Sequence, residues 1–408
     1  MTDTAARATS DPAPTTREGR PRPGRRWLPT TPLGRHLLVL LVGALVVVAA
    51  VELLSAFRVS QLATLAYYVA AVAGLSLLTG TNGQISLGHG AFMAVGAYTA
   101  ALLLPAGVPF PVAMLAGAAV AGLVGAVVGA AAAQLHGPYL AGATLALAVG
   151  LPGLAVAFDG LLGGDQGLTV DSPRTPSWFA DAHFFVFAAD PTTTQWLAYV
   201  GAVVAGLVLF ALANLSASRY GRVWRAVRDD EVAAELSGLR LGRLRVLAFV
   251  VSAVCAGLGG TLLALVTRLA APSGFGIVLS LSLLAAAVIG GLGSLVGAVL
   301  GSIVIVFLPP LVTSVGGSAG LSDVQAAELA PLTYGVVLVL VMILAPGGAA
   351  GLLRRLVPRR GGTSGGDTTS APRPADRDED TRERAGDRAA ERDDATPADG
   401  PDRERGGS

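Results

Sequence analysis

The sequence predicts an all-α, polytopic membrane protein with about ten transmembrane helices, some of them glycine-broken or re-entrant. Three observations predict it. Hydrophobic residues make up 52% of the 408 positions, charged residues 14%, and mean hydropathy is +0.62, far outside the soluble range. The charges are segregated into the two ends and one internal loop. Between them lie apolar stretches near the ~20 residues needed to span hydrocarbon, at about 37–57, 62–79, 88–104, 111–133, 138–158, 195–215, 246–267, 277–292, 295–313 and 331–350.

Residues 1–33 are rich in Pro, Thr and Arg without periodicity and read as a disordered arm. A membrane domain follows over 34–355. Residues 356–408, a Gly, Asp, Glu and Arg mixture with almost no large apolar residue, read as a disordered charged tail. The first apolar stretch could be a signal sequence, since it follows an Arg-rich arm and ends in Ala49-Ala50. Its length and the lack of a clean small-x-small site favour a retained helix.

Arginine sets the orientation. An inside N-terminus (Arg25, Arg26, Arg35) and ten crossings place 216–245 and the Arg354, Arg355, Arg359, Arg360 end inside. Only Arg58, Arg174 and Arg268 fall outside, as the positive-inside rule requires. Both termini are therefore expected in the cytoplasm, with the protein in the plasma (inner) membrane. The long segment 159–194, with Asp159, Asp165, Asp171, Asp181 and Asp190 among Pro173, Pro176 and Pro191, is expected to be a polar outside loop, either a solvated connector or a contact for an outside partner.

The internal loop carries the densest charge: residues 216–245 hold seven arginines (219, 222, 225, 228, 240, 243, 245) against Asp229, Asp230, Glu231 and Glu235. Lipid will not solvate that charge. Arg225 and Asp229 are four apart and Arg228 and Glu231 three apart, spacings that suit one helical face. Gly238 and Gly242 then suggest one helix ending and another beginning. A short, glycine-jointed, charged loop of this kind suits docking of a partner.

A polar break interrupts the membrane domain at Gly80-Thr81-Asn82-Gly83-Gln84-Ile85-Ser86-Leu87-Gly88-His89-Gly90. Irregular backbone at membrane depth is tolerated only inside protein or beside a water-filled cavity, and glycine-interrupted segments point to transport pathways. A second break, Gly290-Gly291-Leu292-Gly293-Ser294, recurs later in the chain. Gly125 with Gly129, and Gly297 with Gly301, form G-x-x-x-G pairs that allow close helix contact.

Several chemistries are excluded. All 29 basic residues are arginine, so a G-x-x-x-x-G-K-[ST] phosphate loop cannot exist and the chain is not expected to hydrolyse ATP itself. Cys255 is the only cysteine, so an intramolecular disulfide is ruled out, and its apolar setting suits a small core residue. No cofactor, metal or nucleic acid is expected. A secondary transporter or channel would share the broken helices but would more often carry a charge within the membrane; only Glu52 approaches that role, near an outer helix end. An intramembrane hydrolase would need Ser86 with one of His36, His89, His136 and His183, yet Ser86 lacks the G-x-S-x-G context of a nucleophile elbow.

Two motifs give the chain a family resemblance. Gly83-Gln84-Ile85-Ser86-Leu87-Gly88-His89, with Ala91-Phe92-Met93 and Gly96-Ala97-Tyr98, is close to the GQ-x-SLGH-x-AF pattern of the LivM-type permeases of branched-chain amino acid ABC importers. Gly221-Arg222 through Arg225-Ala226, Arg228, Glu231, Ala233-Ala234-Glu235 and Gly238 resembles that family's ATPase-coupling segment. Weaker agreement comes from Gly163-Gly164-Asp165-Gln166-Gly167-Leu168 and Pro346-Gly347-Gly348. The resemblance implies a transport subunit rather than an enzyme. Two separate ATP-binding subunits would grip 216–245 through Arg225, Arg228, Glu231, Ala233, Ala234, Glu235 and Gly238. A second permease, LivH-like, would complete the membrane part, and an extracytoplasmic binding protein would deliver the solute. Asn82, Gln84, Ser86, Gly88 and His89 would belong to the translocation pathway. The solute would be a branched-chain amino acid or a related amide or urea-like molecule.

Overall fold

A computed structural model describes residues 32–134, 138–320, 322–345 and 347–356. The disordered arm read over 1–33 and the tail read over 356–408 lie outside them, except where the first helix begins at Pro32 and the last ends at Leu356. In chain order the elements are α1 (Pro32–Leu53), α2 (Ala56–Asn82), α3 (His89–Leu103), α4 (Phe110–Ala132), α5 (Pro138–Ala157), α6 (Asp159–Leu162), β1 (Leu168–Thr169), α7 (Ser177–Phe187), α8 (Thr193–Ala217), α9 (Arg219–Asp229), α10 (Glu231–Leu236), α11 (Leu241–Thr267), β2 (Leu269–Ala270), α12 (Ile277–Gly290), α13 (Leu295–Ser318), α14 (Asp323–Leu344) and α15 (Gly348–Leu356). Each of the apolar stretches read from the sequence falls on one of these helices. Among the described residues, eight helical segments are long and apolar enough to cross a membrane, and His89–Leu103 and Gly335–Leu344 are shorter apolar helices. The chain is thus an all-α, multi-pass membrane protein; among the described residues the strands form a small antiparallel pair, β1–β2, with Leu168 opposite Ala270.

Two helices make the centre. The apolar windows of α2 and α11 are 78% and 67% buried, whereas that of α1 is 6% buried. α11 packs against α4, α2 and α3, and α2 packs against α8 and α13. Hydrocarbon offers no hydrophobic drive between helices, so close backbone approach must supply dispersion contacts, and the glycine pairs do this. A β-carbon on Gly129 of α4 would lie 2.8 Å from that of Phe249 on α11, and one on Gly125 would collide with Ala253. On α13, a β-carbon on Gly297 would lie 2.5 Å from the Gly290 carbonyl oxygen. Both G-x-x-x-G pairs therefore serve seams within the chain.

The peripheral helix α1 is held to α8 by polar clasps at both ends. His36 Nδ1 lies 3.1 Å from Asn214 Oδ1, near the end that carries 216–245. At the opposite end Glu52 Oε1 accepts from the Tyr199 hydroxyl and lies 3.0 Å from His183 Nε2. His183 is buried here, its Nδ1 donating to the Ala189 carbonyl at 2.7 Å, although the sequence placed it outside the core. The segment 159–194 is also more ordered than a solvated connector. Its Trp178, Phe179, Phe184, Phe185 and Phe187 build α7, and Phe179 packs its ring on Trp196 and Tyr199 of α8.

Candidate functional site

The polar break begins where α2 stops. Gly83 adopts φ +80° and returns its N–H to the Leu78 carbonyl, a left-handed stop that glycine accommodates without strain. The Gln84 N–H returns to the same carbonyl at 3.2 Å. Residues 83–88 then run without helix back into the bundle. Burial alternates along them: Gly83 and Ile85 are exposed, while Gln84, Ser86 and Gly88 are buried, the two-residue period of extended backbone. At about 1.5 Å per residue, the 15 residues of α3 reach only about 22 Å of the ~30 Å core.

Extended backbone and a helix start leave amide donors without helical partners, and hydroxyls from α5, α12 and the break itself meet them. The Leu87 N–H donates to Thr144 Oγ1 of α5 at 3.0 Å, the Gly90 N–H to Ser280 Oγ of α12 at 3.0 Å, and the Gly88 N–H to Ser86 Oγ at 3.4 Å. His89, fully buried, has Nε2 2.9 Å from Ser252 Oγ of α11 and Nδ1 3.4 Å from Ser86 Oγ. Its ring also meets Phe92 edge-on. The contacts of His89 are thus hydroxyls and an aromatic edge, without the orienting carboxylate that a serine nucleophile's base would take. Gly88 is required by space: a β-carbon there would collide with the Thr144 carbonyl. The amides of Asn82 and Gln84 are different. Both side chains are more than nine-tenths buried, and none of their nitrogen or oxygen atoms has a hydrogen-bond partner among the described residues.

The two breaks, more than 200 residues apart in sequence, meet in space. The Gly80 backbone presses on Leu292 and Gly293, leaving no room for a side chain, and the Gly293 N–H donates to Ser76 Oγ at 3.0 Å. Gly291 and Gly293 take φ +109° and +76°. The charged loop reaches the same point. Arg228 Nη1 donates to the Gly80 carbonyl at 2.6 Å, while its Nε and Nη2 donate to Asp229 Oδ1 at 3.0 and 2.7 Å.

The loop divides differently from the spacing argument. Asp230, at φ −156°, ends α9 and caps α10 by accepting the Ala233 N–H at 3.0 Å. That break separates Arg228 from Glu231, so the three-apart pair does not form. Arg228 instead takes neighbouring Asp229, and Glu231 pairs with buried Arg245 of α11 at 2.6 Å. Arg225 Nη1 donates to the Ser216 carbonyl at 3.2 Å and makes no pair with Asp229. Gly238 ends α10 at φ +82°, and the Leu239 N–H closes the turn onto the Ala234 carbonyl at 3.2 Å. Gly242 does not break the chain; it lies in the first turn of α11. Ala234 faces inward and is buried, while Ala233 and Glu235 are exposed.

Counting charges had passed over Val232 and Leu236, 68% and 85% exposed on α10. Their four-residue spacing puts them on one side of that helix, beside Ala233 and Glu235. An apolar i, i+4 pair on an otherwise charged loop was the available signal. Thr144, Ser252 and Ser280 had no such signal, because single hydroxyls in apolar runs are common. A separate cavity of about 500 Å³, lined by Leu104, Phe110 and Arg174 among others, lies at the far end of α3, remote from the break.

Comparison with known proteins follows the same lines. Residues 55–346 match the family described as the branched-chain amino acid transport system permease component. The chain is 29% identical over 318 residues to the high-affinity branched-chain amino acid transport system permease protein LivM of Escherichia coli K12, covering 74% of this chain and 71% of that one. It is 26% identical over 293 residues to the LivH permease protein of the same system and organism, covering 70% and 91%. A 104-residue stretch is 36% identical to the permease protein BraD of Pseudomonas aeruginosa, 25% of this chain and 34% of that one. No solved structure matches.

Proposed function

The chain belongs to the branched-chain amino acid transport system permease family, and on that premise we propose how it works. It is a transport subunit of an ABC importer, carrying a branched-chain amino acid or a related small amide inward. It resides in the plasma (inner) membrane with both termini and residues 216–245 in the cytoplasm. A binding protein outside delivers the solute, and a second, LivH-like permease closes the pathway. Of the two ATP-binding subunits on the cytoplasmic side, one seats on α10, where Val232, Ala233, Glu235 and Leu236 are exposed, and the other on the second permease. An apolar pair gives such a contact its anchor, and the charge beside it gives orientation.

The observation that carries this reading is the Arg228 bond to the Gly80 carbonyl. It joins the docking loop to the point where both glycine breaks touch, so movement of α9 is felt by α2, α3 and α12 together. The unpartnered amides of Asn82 and Gln84 lie in the break that follows. An amide offers both donors and acceptors without net charge, which suits a zwitterionic or amide solute. Gln84, Ser86, Gly88 and His89 then have divided tasks: Gln84 faces the solute with Asn82, while Ser86, Gly88 and His89 hold the backbone.

The test is reconstitution. In proteoliposomes containing this chain, a LivH-like partner, the ATP-binding subunits and a binding protein, leucine uptake should require ATP and all components. Uptake driven by an ion gradient with no ATP-binding subunit present would overturn the reading in favour of a secondary transporter.

A further inference from the structure

An arginine-lined groove of about 390 Å³ lies on the loop side of the bundle. Arg219, Arg240 and Arg243 line it, with Tyr220 beside them and Val223, Leu239 and Leu244 as its apolar wall. The apolar span of α8 ends at Ala217 and that of α11 begins at Leu241. The groove therefore opens at the level where two membrane helices leave hydrocarbon, the headgroup layer of a bilayer.

Among the described residues, none of these three arginines pairs with a carboxylate. Among the described residues, Asp229 is taken by Arg228, Glu231 by Arg245, and Asp230 by the cap of α10. Glu235 does not line the groove. Arg219 lies 5.0 Å from the Tyr220 ring centroid and donates to its hydroxyl at 3.2 Å, which holds one guanidinium in place without neutralising it. Three exposed, unneutralised guanidiniums around an apolar wall can bind a phosphate bidentately, and the wall accepts what is attached to that phosphate. Basic pockets between membrane helices on the cytoplasmic side take anionic headgroups for this reason.

We infer that Arg219, Arg240 and Arg243 form a binding site for the phosphate headgroup of an anionic phospholipid, placed directly against the stop of α10 at Gly238. The site is independent of the solute pathway and of which solute is carried. It brings the surrounding lipid into contact with the docking loop, so lipid composition sets how firmly that loop is held.

The experiment uses the full chain in nanodiscs of phosphatidylcholine with increasing phosphatidylglycerol, and counts retained lipid by native mass spectrometry. Phosphatidylglycerol should be retained in preference to phosphatidylcholine, and its binding should weaken as salt is raised. Each arginine at a membrane surface is worth about five-fold, so the Arg240→Gln/Arg243→Gln double variant should bind about thirty-fold more weakly. Arg240→Lys/Arg243→Lys should recover most of the loss. Arg222→Gln should bind like the parent, because Arg222 donates to the Ala217 carbonyl and lies outside the groove. Equal retention of the two lipids, or undiminished retention by the double variant, overturns the assignment. So does displacement by inorganic phosphate, which would make the groove a soluble-anion site. Should the double variant keep its lipid but lose the ATP-binding subunits, the groove serves an acidic partner and the assignment is wrong. If the double variant fails to fold, the salt dependence of the parent decides: salt-independent retention overturns it.

Discussion

Replacing Arg228 with leucine separates docking from transmission. The Gly80 carbonyl belongs to the last turn of α2, whose final carbonyls have no partner within the helix, and the Arg228 guanidinium meets it at 2.6 Å. A hydrogen bond from a charged donor is worth about 1.5–3 kcal/mol. The Arg228 side chain is 42% exposed, and solvent screening at that exposure reduces the figure to about 1 kcal/mol. That is about five-fold in any equilibrium the bond biases. Leucine preserves the stem packed over Gly83, whose added β-carbon would lie 2.9 Å from Arg228 Cγ. The exposed face of α10, proposed above to seat the ATP-binding subunit, is untouched. In proteoliposomes with the ATP-binding subunits and binding protein, Arg228→Leu should still co-purify the ATP-binding subunits. The ratio of solute-stimulated to basal ATP hydrolysis should fall about five-fold. Asp229→Asn, which loosens the carboxylate that steers Arg228, should lower it by a smaller factor. Full stimulation in Arg228→Leu would refute the transmission argument, and loss of the ATP-binding subunits would refute the separation.

Four further outcomes follow from the geometry. Glu235→Arg and Leu236→Arg should each reach the membrane but lose the ATP-binding subunits at moderate salt, measured by co-purification. Gly238→Val should do the same where Gly238→Asn largely does not, because a β-branched residue at φ +82° costs upwards of about 1–2 kcal/mol, and that position has open space around it. Gly88→Leu should insert normally yet abolish uptake, since its side chain would displace the Thr144 carbonyl; normal uptake would remove the break from the pathway. Glu52→Ala should lower the melting temperature in detergent, because it leaves buried His183 and Tyr199 without their shared acceptor, at about 2 kcal/mol; an unchanged melting temperature would show that α1 is not clasped there.

Much of this fold was legible because its signal is one-dimensional. Twenty-residue apolar runs and segregated arginine are properties of neighbours along the chain, and the helices fall where those runs lie. The boundaries were less legible. α2 begins at Ala56, before Arg58 and Gln61, because Arg58 Nη1 donates to the Gln61 side-chain Oε1 at 3.1 Å and need not leave the helix. α11 begins at Leu241 because buried Arg245 is neutralised by Glu231. Motif residues 83–89 were found together, yet the hydroxyls that hold them come from α5, α11 and α12. A serine in an apolar run looks alike whether it meets its own helix or a distant amide. The contact of Gly80 with Gly293 was invisible for the same reason: each break was readable alone, but their meeting is a property of three dimensions.

The partners of the first break also have an order of arrival during synthesis. Thr144 follows Leu87 by 57 residues, Ser252 follows His89 by 163, Ser280 follows Gly90 by 190, and Gly293 follows Ser76 by 217. At about 5–20 residues per second, the last of these emerges roughly 10–40 seconds after the first break has been made. For most of that interval the His89 ring and the Leu87 and Gly90 amides exist without the hydroxyls that meet them in the folded chain. Lipid cannot hydrogen-bond them either, so the contacts of the first break are completed only after α5, α11 and α12 have been made. The break is therefore completed late, and a chain ending before Ser280 would lack the hydroxyl that meets the Gly90 amide.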